Sequence, residues 1–181
     1  MDAARLETGE LPVRPRPTDL AALARAVVAA RRATAPGHAL AVRAPGPVVA
    51  PVDAARFEAL LGNLLDNAVK YSPAGGPVEV DVEADGAGQA RVAVRDRGVG
   101  VPPERRAGLF DRFHPTPGTH LDGLGLGLYL SRRIAERHGG SIAVEHPEDG
   151  GTRVVVTLPL ATPAPDGRQR AAAGPDPVPR P

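Results

Sequence analysis

The sequence has no cysteine and no tryptophan, and aromatic residues make up only 3% of its 181 residues. The lack of cysteine excludes disulfides, thiolate metal sites and cysteine nucleophiles. An excess of one charge is also absent, because 22 Lys and Arg balance 21 Asp and Glu, which argues against a nucleic-acid-binding protein. No apolar run approaches the roughly 18 residues of a membrane helix. We therefore expect a soluble chain without a signal peptide, whose core is built from Leu, Val, Ile and Ala.

The length fits one core with room for tails. From Ala161 the chain reads ATPAPDGRQRAAAGPDPVPRP, with almost no large apolar residue. Such a segment cannot bury enough surface to offset its ordering entropy, so residues 161–181 are predicted to be disordered. A passive tail is the main interpretation, and a proline-rich docking site is the alternative.

The body alternates helix and strand patterns. Capping residues and apolar spacing predict three helices and a set of strands, with an irregular segment from Gly98 to Gly123. The helices are expected at Asp19–Arg32, Asp53–Tyr71 and about Gly127–Arg137, and the strands at Leu11–Pro17, His38–Arg43, Val48–Val52, Val78–Val82, Val92–Val94, Ser141–Glu145 and Thr152–Leu158. The outward acids of one central strand are expected to face the arginines of the next. This arrangement predicts an α+β domain with two layers.

Three segments carry candidate chemistry, and the first lies on a predicted helix. Asn63, Asn67, Lys70 and Tyr71 share one helix face, because residues four apart lie one above the other. Carboxamide oxygens suit Mg²⁺, an ammonium suits phosphate, and an aromatic ring can stack on a base. Lys70 is also the only lysine of the chain. The alternative is a solvated polar face.

The second segment, Asp96-Arg-Gly98-Val-Gly100, follows a predicted strand. Its glycines allow a sharp turn and a close approach to a flat ligand, and its carboxylate can accept a hydrogen bond from an exocyclic amine. The alternative is an ordinary Asp-Xaa-Gly turn.

The third segment is a glycine–leucine repeat, GLGLGL, at residues 123–128, directly before a helix. Glycines there free N–H groups for an anion, which the helix dipole also favours. The spacing is neither a Rossmann fingerprint nor a P-loop. A flexible hinge is the alternative.

Together, in this order, the segments resemble the catalytic and ATP-binding domain of bacterial sensor histidine kinases, of the GHKL superfamily. NLLDNAVKYS is similar to the N box, DRGVG to the G1 box, LFDRF to the F box and GLGLGL to the G2 box, and Gly151-Thr152 resembles the terminal Gly-Thr element. The resemblance covers residues 14–160. It implies the Bergerat ATP-binding fold, a mixed and mostly antiparallel sheet with about three helices on one face.

The resemblance implies a role for each site residue, with ATP and Mg²⁺ as cofactors. Asn67 is the expected Mg²⁺ ligand and Asn63 a second candidate, while Lys70 contacts phosphate. Tyr71 is expected to pack on the adenine, and Asp96 to bind the adenine amino group.

Loop residues supply the remaining expected contacts with the nucleotide. The segment Val101–Asp122 is the expected ATP lid, which Phe110 and Phe113 anchor. The other expected contacts are Gly98 and Gly100 for close approach, Thr152 at the adenine edge, and Gly123, Leu124, Gly125, Leu126, Gly127 and Leu128 around the phosphates.

The resemblance favours phosphoryl transfer over hydrolysis. ATPases of the superfamily place a Glu where this chain has Asn63, so no obvious base activates water. The lid sequence HPTPGTHLD has no Lys or Arg, and Arg112 and Lys70 are expected to supply positive charge, with His120 a weaker candidate. The alternatives are a catalytically weak nucleotide-binding regulatory module and a serine kinase of the anti-sigma type.

None of the five histidines stands in the family's phosphoacceptor motif. The expected partners are therefore a separate dimerisation and phosphoacceptor domain and, indirectly, a response regulator, with no nucleic acid and no membrane contact. Residues 1–13 resemble the end of the dimerisation helix and its linker. The isolated chain is expected to be a cytoplasmic monomer from a parent that, by family habit, is often membrane-anchored.

Overall fold

The computed structural model describes residues 12–111 and 126–160. The elements are, in chain order, β1 (Arg16–Asp19), α1 (Leu20–Arg32), β2 (His38–Arg43), β3 (Val49–Val52), α2 (Ala54–Lys70), β4 (Gly76–Ala84), β5 (Gln89–Asp96), α3 (Pro103–Arg106), α4 (Gly127–Arg137), β6 (Ser141–Glu145) and β7 (Thr152–Pro159). No helix of the described part is both long and apolar enough to cross a membrane.

Five strands form one sheet in the order β2-β4-β5-β7-β6, while β1 and β3 form a separate two-stranded ribbon. In the larger sheet β2 pairs with β4 in parallel, and the other three pairings are antiparallel. The parallel pairing is possible because β3 and α2 supply the long connection between β2 and β4. The predicted α+β class with a mostly antiparallel sheet is confirmed.

Helices α1, α2 and α4 cover one face of this sheet in a single apolar core. The central helix α2 contributes a stripe at helical spacing that is almost fully buried: Phe57, Leu60, Leu61, Leu64, Leu65 and Ala68. Opposite them lie the inward valines of the central strands, including Val80, Val92 and Val156. Burying one such side chain contributes about 1.5–3 kcal/mol. The stripe therefore fixes which face of α2 remains available for chemistry.

The other face of the sheet carries arginine and acidic side chains that form ion pairs. The predicted facing of acids and arginines is present in the register of β4 and β5. Arg153 forms ion pairs with Glu145, its direct partner on β6, and with Asp81, which lies diagonally across the sheet on β4. Ala93 and Val155 are only 2% and 5% exposed on this face. We attribute this burial to long arginine stems lying over small residues.

Two details differ from the sequence-based expectation. The first strand lies at Arg16–Asp19 rather than 11–17, and its pairing with β3 places Pro17 opposite Pro51. Neither proline can donate a ladder hydrogen bond, which keeps this ribbon short. The segment expected to be irregular also contains the single-turn helix α3.

A buried histidine ties the end of α4 to the start of α2. His138 Nε2 lies 2.9 Å from the backbone nitrogen of Asp53, and Nδ1 lies 2.8 Å from the carbonyl oxygen of Ile134. A backbone N–H can only donate, so Nε2 accepts and Nδ1 carries the proton that is donated to Ile134. Asp53 is also the N-cap of α2, because its side chain accepts from the Arg56 N–H.

We expect His138→Leu to lower the free energy of unfolding by about 1–3 kcal/mol, because it leaves the Asp53 N–H without its acceptor. Urea unfolding followed by circular dichroism measures this change. His146→Leu, in the turn between β6 and β7, is the control and should change stability by less than about 1 kcal/mol. Equal effects of the two substitutions would contradict the proposed link between α4 and α2.

Candidate functional site

The polar face of α2 meets the first turn of α4 through an asparagine. Asn63 Nδ2 donates to Ser131 Oγ at 3.0 Å, and Ser131 Oγ donates to the carbonyl oxygen of Gly127 at 3.0 Å. A Cβ atom at Gly127 would collide with Asn63 Oδ1. The last glycine of the glycine–leucine segment is therefore needed for this contact, and the first and third segments meet in space.

This arrangement fits a magnesium ion that takes most of its ligands from water and from phosphate oxygens. Asn63 commits its amide nitrogen to Ser131, which leaves the carboxamide oxygen as a hard ligand. Asn67 lies one turn further along the same half-buried face. Within residues 12–111 and 126–160, no cluster of three or more His, Asp or Glu could hold a metal. A site with few protein ligands suits Mg²⁺, because this ion keeps bound waters and takes oxygens from substrate phosphates.

The aspartate of the second segment lies at the end of β5 and is 5% exposed. Its Oδ1 accepts hydrogen bonds from the Gly98 N–H at 2.8 Å and the Thr152 N–H at 3.2 Å. Burial raises the pKa of Asp96, and this outweighs the two backbone hydrogen bonds and the charge of Arg95, which lower it. Asp96 thus joins the second segment to the terminal Gly-Thr element.

The glycines around Asp96 are required by packing within the protein. A Cβ at Gly98 would overlap the carbonyl oxygen of Tyr71, which also accepts from the Val99 N–H at 3.0 Å. Gly100 and Gly151 both have positive φ, of 71° and 73°. Gly98 is therefore required by its contact with the end of α2, and its predicted role in the close approach of a ligand stays a prediction.

Lys70 and Tyr71 end α2 beside this loop. The Lys70 ammonium lies 5.7 Å from the centre of the Tyr71 ring, within the range of a cation–π contact. Lys70 is exposed and Tyr71 half-buried. A basic group and an aromatic ring therefore stand together next to the Asp96 loop.

The other predicted site residues divide into two groups. Val101, Leu126 and Leu128 are half-buried; the Val101 carbonyl accepts from Arg106 Nε at 3.1 Å, and the Leu126 carbonyl accepts from the Leu130 N–H. The second group lies outside the described residues: Arg112, Phe113, Gly123, Leu124 and Gly125.

Two positioning residues were missed by the sequence analysis. Ser131 anchors Asn63, and His138 anchors the start of α2. The only sequence signal for Ser131 is its place four residues after Gly127, on the same helix face. His138 had no signal, because its partner lies 85 residues away.

The geometry defines an α+β domain that gathers asparagines, a buried aspartate and tight-packing glycines around the C-terminal half of α2. The profile of one family, described as histidine kinase-, DNA gyrase B- and HSP90-like ATPase, matches residues 52–162. The chain belongs to this family.

Comparison with individual proteins gives the same assignment. The sensor protein kinase PmrB of Pseudomonas aeruginosa is 39% identical over 177 residues, covering 96% of this chain but 36% of that protein. Full-length ShkA in complex with AMPPNP superposes with a TM-score of 0.74 at 33% identity, covering 90% of this chain and 34% of ShkA. The mycobacterial sensor histidine kinase MprB gives a TM-score of 0.71 at 28% identity, covering 80% and 97%. The chain spans about a third of the length of PmrB.

We expect Asp96→Asn to leave the ligand-free protein at least as stable as the wild type near neutral pH. The amide oxygen still accepts from the Gly98 and Thr152 N–H groups, while the buried charge is removed. Because the folded-state pKa of Asp96 is raised, the folded protein holds the proton to higher pH, and stability falls as pH rises through that window. The advantage of the variant should shrink as the pH is lowered to about 4.

Thermal melts of the two proteins at neutral and acidic pH measure this difference. A variant that melts clearly below the wild type near neutral pH would show that the Asp96 charge stabilises the empty fold, contrary to this expectation.

We expect Gly98→Ala to lower the free energy of unfolding by about 1–3 kcal/mol, because the new methyl group meets a backbone carbonyl that cannot rotate away. Gly46→Ala is the matched control, since Gly46 has open space around its Cβ position, and it should cost about 0.5 kcal/mol or less. Urea unfolding compares the two, and equal midpoints would exclude the packing role of Gly98.

Proposed function

We propose that this chain is the catalytic domain of a sensor histidine kinase, which binds Mg²⁺–ATP and transfers the γ-phosphoryl group to a histidine of a separate domain. The observation that carries the proposal is the meeting of the three sequence segments and the terminal Gly-Thr element around α2, through the contacts of Asn63 with Gly127, Tyr71 with Val99, and Asp96 with Thr152. The family membership and the names of the relatives support it.

At the base end of the nucleotide, Asp96 is the proposed acceptor for the adenine amino group. Two backbone N–H groups hold its Oδ1 and fix the orientation of the carboxylate. Tyr71 offers an aromatic surface, and Thr152, whose N–H donates to Asp96, is the proposed contact at the adenine edge. A buried acceptor discriminates among bases because a ligand without the matching donor leaves it unpaired.

At the phosphate end, Asn67 and Asn63 are the proposed magnesium ligands, and Lys70 and Arg112 the proposed phosphate contacts. Bound Mg²⁺ would neutralise phosphate charge. The contact of Asn63 with Ser131 holds the carboxamide in place before the nucleotide binds. We propose that the backbone N–H groups at the start of α4 donate hydrogen bonds to phosphate oxygens. The dipole of the helix favours negative charge at this end.

In the transfer step itself, no side chain of the domain forms or breaks a covalent bond. A nitrogen of the phosphoacceptor imidazole forms a bond to the γ-phosphorus, the bond from phosphorus to the β–γ bridging oxygen breaks, and ADP leaves. Catalysis then consists of positioning and charge stabilisation. Asn63 supports transfer over hydrolysis, because a carboxamide cannot accept the proton of an attacking water.

A second candidate function is a nucleotide-binding regulatory module with weak catalysis. The specific observation in its favour is the lid sequence HPTPGTHLD, at residues 114–122, which has no Lys or Arg. The serine-kinase alternative gains no support from the relatives, which are named sensor kinases.

The proposed partners follow from the absence of a phosphoacceptor motif in the sequence. Residues 14–160 are the proposed catalytic domain, and the linker expected at residues 1–13 lies outside the described residues up to residue 11, as does all of the tail expected at residues 161–181. A response regulator is the proposed downstream partner, and the isolated chain is proposed to be a cytoplasmic monomer.

Calorimetric titration with a non-hydrolysable ATP analogue, with and without Mg²⁺, tests the nucleotide site. We expect Asn67→Ala to lose the magnesium-dependent part of the affinity, by roughly tenfold or more, because the magnesium ion loses a carboxamide oxygen ligand. Glu58→Ala, an exposed position on the same helix, is the control and should bind like the wild type. A folded wild-type chain that does not bind would refute the proposal.

Label transfer separates the two candidate functions. A helical-hairpin phosphoacceptor domain, supplied with this chain and γ-labelled ATP, should gain acid-labile phosphate. Tight nucleotide binding without transfer would favour the regulatory module instead.

A further inference from the structure

One buried hydroxyl group lacks a partner within the described residues. Ser72 is 3% exposed, and its Oγ atom makes no hydrogen bond there. Buried hydroxyl groups are nearly always paired with protein or ordered water. A hydroxyl that is unpaired within the described residues therefore indicates a partner outside them, such as an ordered water.

The backbone of Ser72 is held too firmly for the residue to turn away. Its N–H donates to the Val69 carbonyl at 3.2 Å, and its carbonyl accepts from the Gly75 N–H at 2.8 Å and from His38 Nε2 at 2.9 Å. These three bonds hold the backbone of Ser72 in place and thereby keep its side chain in this buried region.

The hydroxyl lies beside the loop that carries Asp96. A Cβ atom on Gly98 would lie 2.7 Å from Ser72 Oγ, and the N–H of the same glycine donates to Asp96 Oδ1 at 2.8 Å. A single glycine therefore separates the unpaired hydroxyl from the buried carboxylate. Ser72 also directly follows Tyr71, the aromatic residue at the end of α2.

We propose that Ser72 is a positioning residue of the nucleotide site, whose hydroxyl binds an ordered water that also hydrogen-bonds the Asp96 carboxylate when nucleotide is bound. This inference rests on the proposed function. Within the described part, both hydrogen bonds to Asp96 end on Oδ1, so the carboxylate has acceptor capacity left. A buried water needs two or more polar partners, and the hydroxyl and the carboxylate supply two.

The water would favour the ionised form of Asp96, which is the form that accepts from an amine. Burial works against that form, and the groups that favour it are the Gly98 and Thr152 N–H donors and the charge of Arg95. His38 faces Ser72 from β2, on the carbonyl side of the serine. The water bound to the Ser72 hydroxyl would be a further hydrogen-bond donor that favours the charged form of Asp96.

If Ser72 has the proposed role, its substitution weakens nucleotide binding without lowering stability. The substitution of a purely structural serine would not have this pair of effects. Ser72→Ala removes an unpaired hydroxyl, so the ligand-free protein should melt at the same temperature or higher. The same change should weaken binding of the ATP analogue by roughly fivefold, the loss expected for one hydrogen bond. It should also move the acid limb of the binding profile to higher pH, because Asp96 loses support for its charge.

Ser72→Cys controls for the small void, since a thiol fills similar space but is a weak donor, and it should behave like the alanine variant. Ser141→Ala, an exposed serine on β6, should match the wild type throughout. Calorimetric titrations between about pH 5 and pH 8, together with thermal melts, measure all four proteins.

Each outcome bears on the proposal. Wild-type affinity and an unchanged pH profile in Ser72→Ala would overturn it, and so would a ligand-free Ser72→Ala that melts well below the wild type, because the hydroxyl would then have a partner in the empty protein. Failure of the wild-type chain to bind the analogue would instead refute the proposed function.

Discussion

Helix α2 must bury one face in the core and present the other to the site, and the rest of the structure depends on this constraint. Its leucine stripe anchors the helix against the sheet, which leaves Asn63 and Asn67 on the remaining face. Both ends are tied down, the first through Asp53 to His138 and the last through Tyr71 to Val99. A helix held in this way cannot rotate without exposing leucines, so the asparagines have a fixed orientation.

Burial of the Asp96 carboxylate in the site costs folding free energy. Burying this carboxylate raises its pKa, and two backbone donors recover only part of that cost. A fold optimised for stability alone would not keep a charge there. Within the described residues, the unpaired hydroxyl of Ser72 and this costly buried carboxylate lie on either side of Gly98. Such groups cluster where a ligand completes the hydrogen bonding.

Family membership and geometry contribute different parts of the functional argument. The family profile covers residues 52–162 and identifies an ATPase-type domain. The geometry adds that its segments meet in this chain, with Asn63 bound to Ser131 and packed against Gly127. The transfer reaction and its partners stay proposals, since the chain spans about a third of PmrB.

Much of the fold and the outline of the site could be predicted from sequence because they follow local periodicity. The helix bounds near Asp19 and Asp53 and the hairpin of β4 and β5 depend on neighbours in the chain, and the structure agrees with them. The parallel pairing of β2 with β4 and the pairing of β1 with β3 join distant segments, so no local pattern fixed them.

The sequence by itself determined which residue types were available on each helix face and strand. Only the tertiary structure decided that His138 accepts a hydrogen bond from the Asp53 N–H and that Gly98 packs on Tyr71. It also decided that Ser72 is buried without a partner among the described residues. The physical reason is that hydrogen-bond satisfaction and steric fit depend on which remote atoms are brought within a few ångströms, and chain order does not encode that distance directly.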